Sequence, residues 1–293
     1  MLLAGYTLMH EHVTIDLSGV KKDDDCRLDE KEKTIEEFRA LKELGVHNIL
    51  EVTNLGMGRN AAYIRDVAQA SGMNILMCTG FYKEPFLPDY VYEKTVSELA
   101  DLMISELESG IEDTGIKASA IGEIGTSRNA MTEMERKVFT ASAKAAAGTG
   151  ALITTHTTLG ALANEQLDLL ISEGVDPARV VIGHMDLNSD PDYILSVLDR
   201  GANIGFDTVG KLNYQSDEYR IGTLKKIFQR GYGRQVVLSM DITRKSHLKA
   251  NGGLGYSYIM TSFIPALYKA GFTCEDVHMM LCSNPERLLE RRG

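Results

Sequence analysis

Eight short runs rich in β-branched residues punctuate this chain at intervals of about 30 residues, and each is followed by a longer segment of helical character. The runs are "YTLMHEH" from Tyr6, "HNILEVT" from His47, "NILMCTG" from Asn74, "SAIGEIG" from Ser119, "ALITTHT" from Ala151, "RVVIGHM" from Arg179, "NIGFDTV" from Asn203 and "QVVLSMD" from Gln235. Between them, segments such as "TIEEFRALKELG" and "EMERKVFTASAKAAAG" repeat apolar residues at three-to-four spacing and end on glycine, as amphipathic helices do. Strands that alternate with helices pair in parallel through right-handed crossovers. Eight such units predict an α/β fold, a (β/α)8 TIM barrel, with residues 1–293 forming a single domain. No Pro/Ser-rich linker or shift in composition divides them.

Such a barrel carries its chemistry at the C-terminal ends of the strands. His10 and His12 close the first strand, Glu123 the fourth, His156 the fifth, His184 the sixth and Asp241 the eighth. On a strand, residues two apart share a face, so His10 and His12 aim together into the barrel mouth and Glu11 points away. That pair can grip one cation and His156 with His184 a second, while the two oxygens of Glu123 bridge them and Asp241 completes the ring. Four imidazoles and two carboxylates suit zinc, with manganese or cobalt as alternatives, better than magnesium or calcium. As a set these six are metal ligands, because burying so many polar groups without a partner is expensive. His47 and His278 read as structural, whereas His247 shares the loop after strand eight with Asp241.

A net charge of −10 with no Lys/Arg-rich run argues against nucleic acid or an anionic membrane as partner and leaves small molecules. The opening Met1–Met9 run lacks a basic flank and a cleavage site, so neither a signal peptide nor a membrane span is expected, and a cytoplasmic location is. Cys26, Cys78, Cys274 and Cys282 show no CxxC spacing and read as free thiols, Cys78 as a small core residue. A homodimer is compatible with this architecture, although no exposed stripe identifies the face.

The motifs "GYTLMHEH", "GEIGTS", "TTHT", "VIGHMDL" and "LSMDITRKSHLKANGGLGY", in that order, with the closing "NPERLL", resemble the phosphotriesterase family of the amidohydrolase superfamily across essentially the whole chain. The resemblance implies a binuclear zinc hydrolase with its ligands at His10, His12, Glu123, His156, His184 and Asp241. One position departs from the family's usual pattern. Most members bridge their metals with a carboxylated lysine at the end of strand four, where this chain has Glu123; the nearest lysine, Lys117, lies at the wrong end of that strand.

Two cations sharing one water would supply hydroxide near neutral pH to attack an ester or lactone, with Asp241 accepting the proton and passing it on. The loop after strand eight adds Arg244, Lys245, His247 and Lys249, then Tyr256. Arg244, Lys245, His247 and Tyr256 are the expected substrate contacts, and their charge favours an anionic substrate such as a phosphorylated sugar lactone. Arg59 and Tyr82 are further candidates for the mouth. Alternative readings are a phosphoester or organophosphate hydrolase, a barrel that binds metal without hydrolysing anything, and decarboxylation or deamination on the same scaffold.

Overall fold

The computed structural model describes residues 1–290. Eight parallel strands follow one another in chain order around a (β/α)8 TIM barrel: β1 (Tyr6–Glu11), β2 (Val46–Glu51), β3 (Asn74–Thr79), β4 (Ala120–Thr126), β5 (Leu152–Thr157), β6 (Val180–Ile182), β7 (Asn203–Phe206) and β8 (Val236–Leu238). The main crossover helices are α1 (Lys31–Glu43), α2 (Ala61–Ser71), α3 (Val96–Glu108), α4 (Glu133–Thr149), α5 (Ala163–Ser172), α6 (Pro191–Asp199) and α7 (Asp217–Gln229). Capping boxes start α3 and α4: the Thr95 and Thr132 hydroxyls accept from the N–H groups of Glu98 and Glu135, whose carboxylates accept in return. Leu99, Met103 and Leu107 then bury one face of α3 at four-residue spacing.

The core has two layers. Met9, Leu50, Cys78, Ala120, Leu152, Val181 and Val237, one from each strand except β7, pack in a compact cluster inside the barrel. Their strand neighbours, among them Leu8, Ile49, Ile121, Ile153, Ile182 and Leu238, face the helices in a larger outer layer. Burial from both sides explains why the strands read as continuous apolar runs.

Glu11 does not point to solvent. It is fully buried, and its carboxylate accepts from Ser239 Oγ, Met240 N and Ile242 N, at 2.8, 2.7 and 3.1 Å, tying β1 to the segment after β8 where the sheet closes. Burial pushes its carboxyl up to about 7 despite those donors.

The sixth and eighth strands are shorter than their sequence runs. They stop at Ile182 and Leu238, and His184 and Asp241 follow in the left-handed region at φ 58° and 52°. A side chain other than glycine holds that conformation at a cost, and such residues cluster where function needs a particular direction. Between β1 and α1 a two-residue antiparallel pair, Ile15–Asp16 with Arg27–Leu28, was not legible in the sequence. All four cysteines are free. Among the described residues, no helix is long and apolar enough to cross a membrane.

Candidate metal centre

Two register shifts aim the side chains of the centre. In β1, Leu8 and Glu11 oppose Ile49 and Glu51 of β2, three steps against two. In β4, Ile121 and Ile124 likewise oppose Ile153 and Thr155 of β5. Such bulges re-aim side chains. Met9 and Ala120 face the barrel interior, so strict alternation would have sent His10, His12 and Glu123 toward the helices. The extra residue reverses the phase, and Ile124 takes the outward place in β4. On β5 no shift is needed, since Leu152, Thr154 and His156 share one phase.

The six side chains meet. Glu123 Oε1 lies 3.4 Å from His12 Nε2, and its Oε2 lies 3.4, 3.2 and 3.6 Å from His10 Nε2, His156 Nδ1 and His184 Nε2. Asp241 Oδ1 lies 3.2 Å from His12 Nε2 and 3.8 Å from His10 Nε2. His10, His12 and Glu123 form one group able to hold a metal ion, and Glu123, His156 and His184 a second, with Glu123 common to both. Lys117 is exposed and precedes β4.

Neighbouring groups fix the imidazoles. The Thr53 hydroxyl donates to the Thr14 carbonyl at 2.8 Å, so its oxygen accepts from His12 Nδ1–H at 2.7 Å and leaves the Nε2 lone pair facing Glu123 and Asp241. Asp207 Oδ1 accepts from the His184 backbone N–H at 2.9 Å and from its Nδ1–H at 2.8 Å, turning Nε2 toward His156 Nδ1, at 2.8 Å, and Glu123. Lys211 binds Asp241 Oδ2, so Oδ1 is the oxygen that faces the histidines.

The electrostatics fit a cation. Burial alone would raise the Glu123 carboxyl, but His10 and the other imidazoles overcome it and hold it well below the carboxylate range. Asp241 behaves alike, with Lys211 the strongest opposing influence. Asp241 and Glu123 outweigh the burial of His12 and push it up to about 10, so the two carboxylates draw positive charge to Nε2, where a metal ion would take the place of a proton, whereas burial drives His156 down to about 4. His10 Nε2, His12 Nε2 and Glu123 Oε2 are buried and have no hydrogen-bond partner in the protein. Orphaned buried acceptors cost free energy, and a divalent ion satisfies them together.

Above this cluster opens a cavity of about 250 Å³ lined by Glu123, His156, His184 and Asp241 below and by Tyr82, Lys83, Phe86, Lys21, Lys211, Arg244 and His247 around it. A larger depression of about 720 Å³ lies between Tyr6, Cys274 and Asn284, and none of the six residues line it.

The other sequence-predicted residues separate. Arg244 and His247 line the cavity, but Arg244 is already paired with Asp23 at 2.7 Å and Asp25 at 3.4 Å. Lys245 pairs with Asp29 at 3.2 Å and is not on the wall. Tyr256 is fully buried behind β1, donating to the His12 carbonyl at 2.6 Å, and so supports the centre without facing the cavity. Arg59 is locked to Glu106 at 2.6 and 2.7 Å. Tyr82 does reach the mouth, its hydroxyl 3.1 Å from His156 Nδ1. His247 accepts from the Thr243 N–H at 3.3 Å, and burial lowers it to about 4.

Sequence reasoning passed over Asp207, Thr53 and Lys211. Asp207 had a usable signal, since it directly follows the apolar run of strand seven as the other candidates follow theirs. Asp207→Ala is expected to weaken divalent-metal affinity by about 10–100-fold, the usual cost of losing a carboxylate that orients a metal-binding histidine. Chelator competition measures it, and unchanged affinity would remove Asp207 from that role.

The sequence pattern of the phosphotriesterase family matches residues 3–289. The phosphotriesterase homology protein of Escherichia coli is 49% identical over 286 residues, 98% of either chain. Its crystal structure, with phosphate in the active site, superposes with a TM-score of 0.97 over 99% of this chain and 100% of that one, at 48% identity. A lactonase from Listeria monocytogenes gives a TM-score of 0.94 at 28% identity, covering 99% and 96%. The N-acetyltaurine hydrolase of Dictyostelium discoideum is 34% identical over 90% of this chain and 74% of its own. Family match, identity and fold agree along nearly the whole length, and the chain belongs to the phosphotriesterase family.

Proposed function

We propose that this chain is a hydrolase that uses two divalent metal ions, zinc foremost, to open an ester or lactone bearing an anionic group, a phosphorylated sugar lactone being the class that fits best. The observation that carries the reading is the convergence of His10 Nε2, His12 Nε2 and Glu123 Oε2, buried and unpartnered, beneath a cavity whose floor is made by Glu123, His156, His184 and Asp241. His10, His12 and Asp241 would hold one ion and His156 and His184 the other, with Glu123 placed between the two sets. Two cations there supply a water of lowered pKa and a Lewis acid for the substrate's carbonyl oxygen.

The chain's own residues do the rest. Lys211 holds Asp241 Oδ2 and leaves Oδ1 turned toward the centre, where the carboxylate would take up the proton released in the attack and pass it to the leaving oxygen. Tyr82, Phe86, Met57 and Leu159 line the mouth and limit the water that reaches it. The lactonase activity of the Listeria neighbour and the phosphate bound by the Escherichia coli relative support the bond type and the charge.

The test is a hydrolysis panel on protein of measured metal content, comparing phosphorylated sugar lactones, neutral lactones, a phosphotriester and N-acetyltaurine. Preferred turnover of the anionic lactones, abolished by chelation and restored by zinc or manganese, is the expected result. Faster hydrolysis of the phosphotriester or the amide would replace the lactonase reading, and two bound ions without any turnover would overturn hydrolysis of these bonds.

A further inference from the structure

We infer that the buried Asp186–Arg220 ion pair, joined to Thr208, is a positioning device for His184, so that Arg220 on α7 governs how tightly the metal ion at His156 and His184 is held. This role rests on the two-ion reading above. Asp186 belongs to the "VIGHMDL" run, two positions past His184, and Arg220 to the first turn of α7; neither lines the cavity. Both are fully buried, and Arg220 is the largest side chain among the described residues to be so.

The guanidinium of Arg220 reaches three stretches of chain. Nε donates to Asp186 Oδ2 at 2.6 Å, Nη2 to Thr208 Oγ1 at 3.1 Å, and Nη1 to the Gln215 carbonyl at 2.6 Å and to Asp217 Oδ1 at 2.9 Å. The Thr208 hydroxyl in turn donates to Asp186 Oδ2 at 2.5 Å. Thr208 directly follows Asp207, whose Oδ1 already holds the backbone N–H and the Nδ1–H of His184. The turn after β6 and the end of β7 are therefore linked twice, through His184–Asp207 and through Asp186–Thr208, and Arg220 grips both partners of the second link.

Stability alone does not account for the pair. Drawing two charges out of water offsets much of their attraction, and Asp186 Oδ1 is left with no hydrogen-bond partner in the protein. What the pair adds is direction. His184 sits at φ 58°, a left-handed conformation that a side chain other than glycine keeps only where its surroundings over-determine it. Asp186 pins the turn that follows, and Arg220 is itself held from outside the strand ends: Asp217 Oδ1 also accepts from the Gly210 N–H at 3.1 Å, and its Oδ2 from the Tyr258 hydroxyl at 2.9 Å. A planar fork that engages Asp186, Thr208 and Asp217 at once is a task for which lysine is no substitute.

The test is chelator competition on zinc-loaded protein, reading the stepwise affinity of each ion, with the Tm of the metal-free protein measured beside it. Arg220→Met is expected to weaken about tenfold the same ion that His156→Asn loosens and to leave the other within about twofold; Thr208→Val, which keeps the ion pair, should cost about threefold, and Arg220→Lys should fall between them. Arg59→Met is the control, because it breaks another buried pair, with Glu106, and should lower Tm while leaving both affinities unchanged. Unchanged zinc affinity in Arg220→Met, or an equal loss in Arg59→Met, would overturn the role, and an equal loss at both ions would overturn its assignment to His184. Should Arg220→Met not fold, Thr208→Val decides by the same criteria. Metal is read apart from turnover, so a selective loss in a protein that hydrolyses nothing would sustain this role while the hydrolase reading fell, and unchanged affinities in an active hydrolase would do the reverse.

Discussion

Glu123→Gln is expected to strip this protein of both metal ions. Its two carboxylate oxygens reach both groups: Oε1 faces His12 of the first, while Oε2 faces His10 of the first and His156 and His184 of the second. Among the described residues, no other side chain belongs to both groups built around Glu123. The amide keeps the shape but removes the negative charge and turns one acceptor into a donor aimed at imidazole lone pairs. Affinity should fall by more than about 100-fold, the upper range for a residue that merely orients a ligand. Elemental analysis after dialysis measures it directly. Retention of two ions per chain would show that Glu123 does not bridge, and retention of one would assign it to a single site. Because glutamate carries its carboxylate without modification, omitting bicarbonate during reconstitution should change nothing, unlike at a carboxylated lysine.

Asp241→Asn, compared at two bound ions per chain, should turn over about 10³-fold more slowly, within the range for loss of a general base. The loss belongs in kcat, with KM nearly unchanged, if Asp241 moves the proton without binding the substrate. Lys211 makes this variant informative. Its ammonium sits on Asp241 Oδ2, and an asparagine that turns its NH2 toward Lys211 would meet a donor with a donor, displacing the lysine into the cavity. Lys211→Met in an otherwise native chain separates the effects: it removes the clamp and keeps the carboxylate. Full turnover of Asp241→Asn with both ions in place would end the general-base assignment.

The strand-end rule was enough to name six residues that the fold brings within contact of one another. It worked because β5 carries His156 in undisturbed alternation and because barrel strands all end at one face. The directions of the others were not legible. His184 and Asp241 read as the last residues of strands, yet both lie beyond them in left-handed conformations that turn the side chains over the mouth. Charge was the harder property. Arg244 and Lys245 looked like free cations, but they pair with Asp23 and Asp29, more than 200 positions earlier in the chain.

By itself, then, the sequence determined the periodicities that make eight strands and their covering helices, and the residue types at the strand ends, because both are properties of short stretches of chain. The tertiary structure alone decided three things. Bulges in β1 and β4 reversed the phase of His10, His12 and Glu123, because register is set by the neighbouring strand. Glu11 became the clasp between β1 and the end of β8, because barrel closure brings them together. And which cations remained unpaired depended on where distant carboxylates came to rest, since ion pairing acts over a few ångströms of space whatever the separation in sequence.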